Sequence, residues 1–230
     1  MHPGDAGPDE TPAPEKRLPV PCLMLVTDRH LAGGEDALLE KVDAAVEGGA
    51  DVVQLREKDL SRADLLSLAL RLREVTEGRA LLFVNGDQKV ALEAGADGVH
   101  FPADAYGPEP PWTFIWGRSV HSEEAAMFAM AEAARYVIAG PIYATPSHPD
   151  TPPAGLRLIR EIVPVARIPV IGIGGINARN ARDVIQAGAS GVAVISAILA
   201  ADSALDAARA LRSTIDSAYP VRPRPGYLPR

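Results

Sequence analysis

Short apolar runs of four to six residues alternate along the chain with longer stretches in which apolar positions recur every three or four residues. The clearest helical pattern spans 61–76, where Leu65, Leu66, Leu68, Ala69, Leu72 and Val75 make a broad apolar face behind Ser61, a candidate N-cap. One phrase recurs at the joints: Gly49-Ala50-Asp51, Gly95-Ala96-Asp97 and Gly188-Ala189-Ser190, with a degenerate copy at Ala133-Ala134-Arg135. In the first three, a glycine closes a helical pattern and a Val/Ile-rich run follows, as expected where a helix ends and a buried strand begins. The pattern predicts strands over 23–27, 52–55, 81–84, 98–100, 115–119, 136–139, 169–173 and 191–195. Helices are predicted over 35–48, 61–76, 87–94, 122–132, 155–163, 177–187 and 202–217. Eight strands alternating with helices imply a single-domain α/β protein, a (β/α)8 TIM barrel. An open doubly wound sheet is the structural alternative.

Proline placement refines the boundaries. Of 21 prolines, six lie in 1–21, four in 220–230, and nine in the stretches 102–111 and 141–153. Proline interrupts helices and ladders, so the ends read as flexible tails around a body at 22–219, and the internal clusters as long loops. The 230 residues suit one domain with a sizeable core. A net charge of −7 argues against nucleic acid or an anionic membrane as the main partner. A single cysteine, Cys22, excludes an internal disulfide framework and a Cys-rich zinc site. No apolar run is long enough for a membrane span, and the acidic N-terminus lacks a signal-peptide core, so a soluble, cytoplasmic protein is expected.

A barrel places its chemistry at the C-terminal strand ends. After strand two, alternation puts Gln54, Arg56 and Lys58 on one face and Val53, Leu55 and Glu57 on the other. An amide and two cations turned into the mouth suit a phosphate or pyrophosphate; a strand end fraying into solvent would carry the same charges. After strands seven and eight, Gly174-Gly175 and Ile195-Ser196 are candidate phosphate binders through backbone N–H groups. Asn85, after strand three, is a candidate ligand contact, with Asp87 a helix cap. His121, after strand five, is a candidate acid–base, the bland reading being a capping or core histidine. His100 ends strand four without an assigned role. The long loop after strand six offers Thr145, Ser147 and His148 as a lid.

Together these segments resemble the thiamine phosphate synthase/TenI superfamily over about residues 23–218. The resemblance rests on LVTDR (25–29), QLREK (54–58), GADGVH (95–100), GRSVHS (117–122), GPIYAT (140–145), IGIGGIN (171–177) and GVAVISAI (191–198). It implies the barrel fold and a role in thiamine biosynthesis, and it offers two activities. The synthase branch couples hydroxymethylpyrimidine pyrophosphate to thiazole phosphate with Mg2+, and Gln54, Arg56 and Lys58 match its pyrophosphate contacts. That branch has Asn-Asp after strand three, where this chain has Asn85-Gly86 with Asp87 displaced by one residue. Asp104 is an imperfect match to its second carboxylate, and Thr145-Pro146-Ser147-His148 lacks its lid lysine. Losing such stabilising groups costs on the order of 10²–10³-fold each, which implies weak synthase activity or none.

The TenI-like branch shares the Asn-Gly and the Gly-Arg-Ser-Val-His-Ser. The resemblance therefore implies an isomerase: a thiazole phosphate tautomerase needing no cofactor or metal, with His121 moving the proton. Its partner would be a small phosphorylated thiazole. A transferase, the Mg2+-dependent thiamine phosphate synthase, is the alternative, and a non-enzymatic phosphate-ligand sensor or thiazole synthase partner the third reading. A homodimer is a family-level expectation.

Overall fold

The computed structural model describes residues 16–105, 114–146 and 151–220. Eight parallel strands close into a barrel in sequence order: β1 (Cys22–Val26), β2 (Val52–Leu55), β3 (Leu81–Asn85), β4 (Gly98–Phe101), β5 (Ile115–Val120), β6 (Tyr136–Ala139), β7 (Val170–Ile173) and β8 (Gly191–Val194). β1 pairs with both β2 and β8, which leaves no sheet edge. Around it lie α1 (Arg29–Ala32), α2 (Glu35–Glu47), α3 (Arg62–Thr76), α4 (Gln88–Glu93), α5 (Glu123–Ala131), α6 (Gly155–Ile162), α7 (Ala181–Gln186), α8 (Ser196–Leu199) and α9 (Ala204–Ala218). The protein is a (β/α)8 barrel, as the alternation predicts.

Strand periodicity divides the apolar residues between two cores. Leu23 and Leu25 of β1, Val53 and Leu55 of β2, and Val137 and Ala139 of β6 face the helices. Cys22, Met24 and Val26, with Val52, Phe83, Tyr136 and Ile138, fill the barrel interior. The helical stripe of α3 seats Leu65, Leu68, Ala69 and Leu72 in the outer core. Burying one such leucine is worth about 1.5–3 kcal/mol. Ser61 caps α3 by accepting the N–H of Asp64.

Three local expectations change. Helix α7 starts at Ala181 rather than 177, because Asn177 and Asn180 build a turn: the Asn177 N–H donates to Asn180 Oδ1, and Asn180 Nδ2 donates to the Gly175 carbonyl. Two four-residue helices, α1 and α8, are too short for apolar periodicity to reveal. The end of the expected N-terminal tail belongs to the body: Leu18 is buried in the interior core, and Lys16 pairs with Asp97 at 2.5 Å. The rest of that tail, most of the expected C-terminal tail and parts of both proline-rich loops lie outside the described residues. Among the described residues no helix is long and apolar enough to cross a membrane.

Candidate active site

A cavity of about 510 Å³ opens at the C-terminal ends of the strands. On one side β2 contributes Gln54 and, just past its end, Arg56 and Lys58. Their orientation has a covalent and an electrostatic cause. Alternation sends Leu55 outward, and Glu57 is held outward by Arg29, whose backbone N–H and Nη1 donate to the Glu57 carboxylate at 3.1 and 3.2 Å. The Arg56 N–H donates to Thr27 Oγ1 at 2.9 Å, which fixes the backbone where β2 ends. Burial pulls the Arg56 guanidinium down from its ordinary range against the opposing fields of Asp28 and Glu57. Arginine nevertheless stays charged. No carboxylate among the described residues pairs with its side chain, so a half-buried cation faces the cavity ready for an anion.

The opposite wall is backbone. Gly174 and Gly175 adopt φ of +100° and +63° between β7 and α7. A Cβ on Gly174 would lie 2.7 Å from Pro141 Cβ, and one on Gly175 would lie 2.5 Å from the Ala144 carbonyl oxygen. Only glycine fits where the loop after β6 crosses this turn. That loop is tied down by the Tyr143 N–H donating to the Gly174 carbonyl at 3.0 Å. Beside the glycines, Ile195 is the N-cap of α8 and Ser196 its first residue, both lining the cavity. The first N–H groups of a helix have no partner within it, which suits an anion at this wall.

Asn85 and Thr145 also line the cavity. Asn85 Nδ2 donates to Gln54 Oε1 at 3.3 Å, joining the two amides across β2 and β3. His121 lines the cavity and donates from Nδ1 to the Gly140 carbonyl at 2.6 Å, so it braces the end of β6. Ser147 and His148 lie outside the described residues. Asp87 is turned away: its Oδ1 accepts the N–H groups of Lys89 and Val90 as the cap of α4, and its Oδ2 pairs with Arg62 Nε at 2.7 Å. Of the two candidate carboxylates, Asp104 alone lines the cavity.

Sequence reasoning passed over His100 and Ser119. Both line the cavity and are bonded to each other, His100 Nε2 lying 2.9 Å from Ser119 Oγ. Alternation within β4 and β5 would have shown them, since both share the inward face with Gly98 and Gly117.

A closed parallel barrel, with cations at the end of β2 and a glycine turn and a short helix after β7 and β8, defines a (β/α)8 barrel whose cavity lies at its C-terminal mouth. The chain belongs to the thiamine monophosphate synthase family, whose model matches residues 23–198. It is 45% identical over 215 residues to the thiamine-phosphate synthase of Roseiflexus sp. (strain RS-1), covering 89% of each chain. It is 44% identical to that of Methanoculleus marisnigri, covering 85% of this chain and 96% of the relative. Among solved structures, thiamine phosphate pyrophosphorylase from Pyrococcus furiosus superposes with a TM-score of 0.78 at 36% identity, covering 86% of this chain and 96% of that one.

These relatives overturn the expected isomerase. The tautomerase reading rests on Asn85-Gly86, the shifted carboxylate Asp104, the missing lid lysine and the Gly-Arg-Ser-Val-His-Ser run at 117–122, yet the similar proteins carry the name of a synthase, a transferase. The displaced Asp87 serves α4, while the synthase-like Gln54, Arg56 and Lys58 all reach the cavity.

Proposed function

We propose that the protein is a thiamine-phosphate synthase, joining hydroxymethylpyrimidine pyrophosphate to thiazole phosphate with release of pyrophosphate. The observation that carries this reading is the pair of anion-directed walls in one cavity. Arg56 and Lys58 suit a pyrophosphate at the end of β2, and the Gly174-Gly175 turn with Ile195 and Ser196 suits a phosphate between β7 and β8. A tautomerase acting on carboxythiazole phosphate would hold its phosphate at the second wall and set only a single carboxylate against Arg56 and Lys58 at the first. A coupling of two phosphorylated substrates requires both. The thiazole nitrogen forms a bond to the pyrimidine methylene, and the methylene–oxygen bond breaks with its electron pair leaving on pyrophosphate. Gln54 and Asn85 fix the approach of the rings, and Arg56 and Lys58 stabilise the charge that grows on the leaving group.

The family's Mg2+ fits as an ion shared with substrate. Among the described residues, no three His, Cys, Asp or Glu side chains converge to hold a metal by themselves. Mg2+ is commonly held by one or two carboxylates plus substrate phosphates, and Asp104 supplies one at the cavity wall. When bound there, the ion would offset charge on the departing pyrophosphate.

The test is direct. Purified protein given both substrates and MgCl2 is expected to form thiamine phosphate and pyrophosphate in equal amounts, and to stop when EDTA is added. Formation no faster than in a protein-free control would sink the proposal.

A further inference from the structure

A buried chain of three side chains runs across neighbouring strands beneath the cavity. Tyr136 of β6 is fully buried, and its hydroxyl lies 3.1 Å from His100 Nδ1 on β4. The other ring nitrogen, Nε2, lies 2.9 Å from Ser119 Oγ on β5. The strand register brings them together: Gly117 pairs with both His100 and Tyr136, and Ser119 stands two residues farther along the same inward face. The space for the tyrosine ring exists because residue 117 is glycine. A Cβ there would lie 2.5 Å from Cε1 and Cζ of Tyr136.

The direction of each bond follows from the end of the chain. Burial pushes the Tyr136 phenol well above its ordinary pKa, so its oxygen carries a proton. A buried O–H needs an acceptor, and among the described residues His100 Nδ1 is the one within reach. Burial, helped by the Arg56 and Arg118 cations, lowers the His100 pKa to about 3, so the ring is neutral. A neutral ring that accepts at Nδ1 carries its proton on Nε2 and donates it to Ser119 Oγ. The Ser119 proton then cannot go to His100, and it turns toward the cavity that Ser119 lines. Run in reverse, with Ser119 donating to Nε2, the same chain leaves the Tyr136 proton buried without an acceptor.

We infer that Tyr136 and His100 are positioning residues which lock the Ser119 hydroxyl as a hydrogen-bond donor to an acceptor atom of the bound substrate. Ser119 is therefore neither a nucleophile nor a base, because His100 has no vacant nitrogen to take its proton. This deepens the synthase reading, on which its catalytic consequence rests. The tautomer itself does not depend on that reading.

The experiment combines spectroscopy with kinetics. Long-range 1H–15N spectra of 15N-labelled full-length protein are expected to show His100 as the Nε2–H tautomer, unchanged between pH 8 and pH 5. Tyr136→Phe removes only the hydroxyl and is expected to release Nδ1, giving a mixture of tautomers. In the coupling reaction Tyr136→Phe should lower kcat about tenfold with little change in KM, the worth of about one neutral hydrogen bond. Ser119→Ala should cost about 10²-fold. The double variant should be no slower than Ser119→Ala alone, because both changes remove one donor. His100→Gln, whose amide nitrogen can still donate to Ser119, should retain more activity than His100→Ala. A wild-type spectrum with the proton on Nδ1 would overturn the inference, as would losses that multiply in the double variant. If no coupling occurs at all, the synthase reading fails while the spectra still decide the tautomer.

Discussion

Asp97 Oδ2 accepts the backbone N–H of Leu82 at 2.8 Å, tying the residue before β4 to the neighbouring strand β3. Its counterpart in the recurring phrase, Asp51, accepts the N–H of Leu23 in β1 at 2.7 Å. Ser190 does the same more weakly, its Oγ accepting the N–H of Val170 in β7 at 3.4 Å. The repeat is thus a device at the bottom of the barrel in which a side chain satisfies a backbone donor near the start of the preceding strand. In the two aspartates a helix arginine completes it: Arg73 of α3 for Asp97 and Arg212 of α9 for Asp51, each at 2.8 Å.

The two aspartates should respond oppositely to acid. Burial opposes ionisation of Asp97, but its bonds from Lys16, Leu82 and Arg73 outweigh this and hold its carboxyl below the ordinary range. The unfolded chain then binds the proton first, so this contribution is complete above about pH 4 and is lost as pH falls through the folded value. For Asp51 burial outweighs the Leu23 and Arg212 bonds and raises the pKa. Its protonation favours the fold as pH drops toward 4. Urea midpoints measured from pH 7 to pH 3 should therefore fall less steeply in Asp97→Asn than in the wild type, and more steeply in Asp51→Asn. At pH 7 Asp97→Ala should lose about 2–4 kcal/mol, because the Leu82 N–H is left without an acceptor and Arg73 loses its carboxylate, keeping only the Ala80 carbonyl.

Gly117→Ala tests the packing on which the tyrosine depends. Its Cβ would enter the Tyr136 ring at 2.5 Å, and that ring is itself held 5.6 Å from those of Phe83 and His100. Overpacking of a closed interior costs about 1–3 kcal/mol. Tyr136→Phe in the same chain should give no relief, since the clash is with ring carbons. Tyr136→Leu should recover part of the loss. Chemical denaturation of the four proteins checks this ordering.

The carboxylates at the mouth should separate cleanly. Asp104→Asn is expected to raise the Mg2+ concentration for half-maximal coupling at least about tenfold, one charged ligand being worth more than a neutral hydrogen bond. Asp87→Asn should leave that concentration unchanged. Asp87→Ala, which removes the cap of α4 and the partner of Arg62, should cost about 0.5–2 kcal/mol of stability. Metal titrations and urea melts on the same preparations distinguish the roles. An unchanged Mg2+ requirement in Asp104→Asn would show that the shared ion is held elsewhere.

Most of the barrel was legible because short runs buried on both faces, such as Val52–Leu55 and Tyr136–Ala139, and the α3 stripe each report burial through local sequence. The side of the cavity formed by Gln54, Arg56 and Lys58 was legible for the same reason. What spacing does not report is partnership across strands. Tyr136 reads as an ordinary core aromatic until His100, 36 residues away, supplies the acceptor for its hydroxyl. Asp87 reads both as a helix cap and as a displaced metal ligand; its capping of α4 bears out the first, and only Arg62, 25 residues away, shows that its other oxygen is taken as well. The activity is hidden on the same grounds, because residues missing from a motif say nothing about which of those present still converge.

The two walls of the cavity should fail separately. Arg56→Ala removes a half-buried cation from the β2 side and is expected to lower kcat/KM for the pyrophosphate substrate by about 10²–10³-fold. The KM for thiazole phosphate should hardly move. Gly175→Ala acts on the other wall. Its Cβ would strike the Ala144 carbonyl and Tyr143 Cβ, and the residue must keep a φ of +63° that alanine disfavours. The displaced turn should raise the KM for thiazole phosphate at least about tenfold, since one charge-assisted hydrogen bond is worth about 1.5–3 kcal/mol. Steady-state kinetics with each substrate varied in turn read both effects. If Gly175→Ala raised the KM for the pyrophosphate substrate instead, the assignment of the walls would be reversed, and Arg56 and Lys58 would be the thiazole phosphate side.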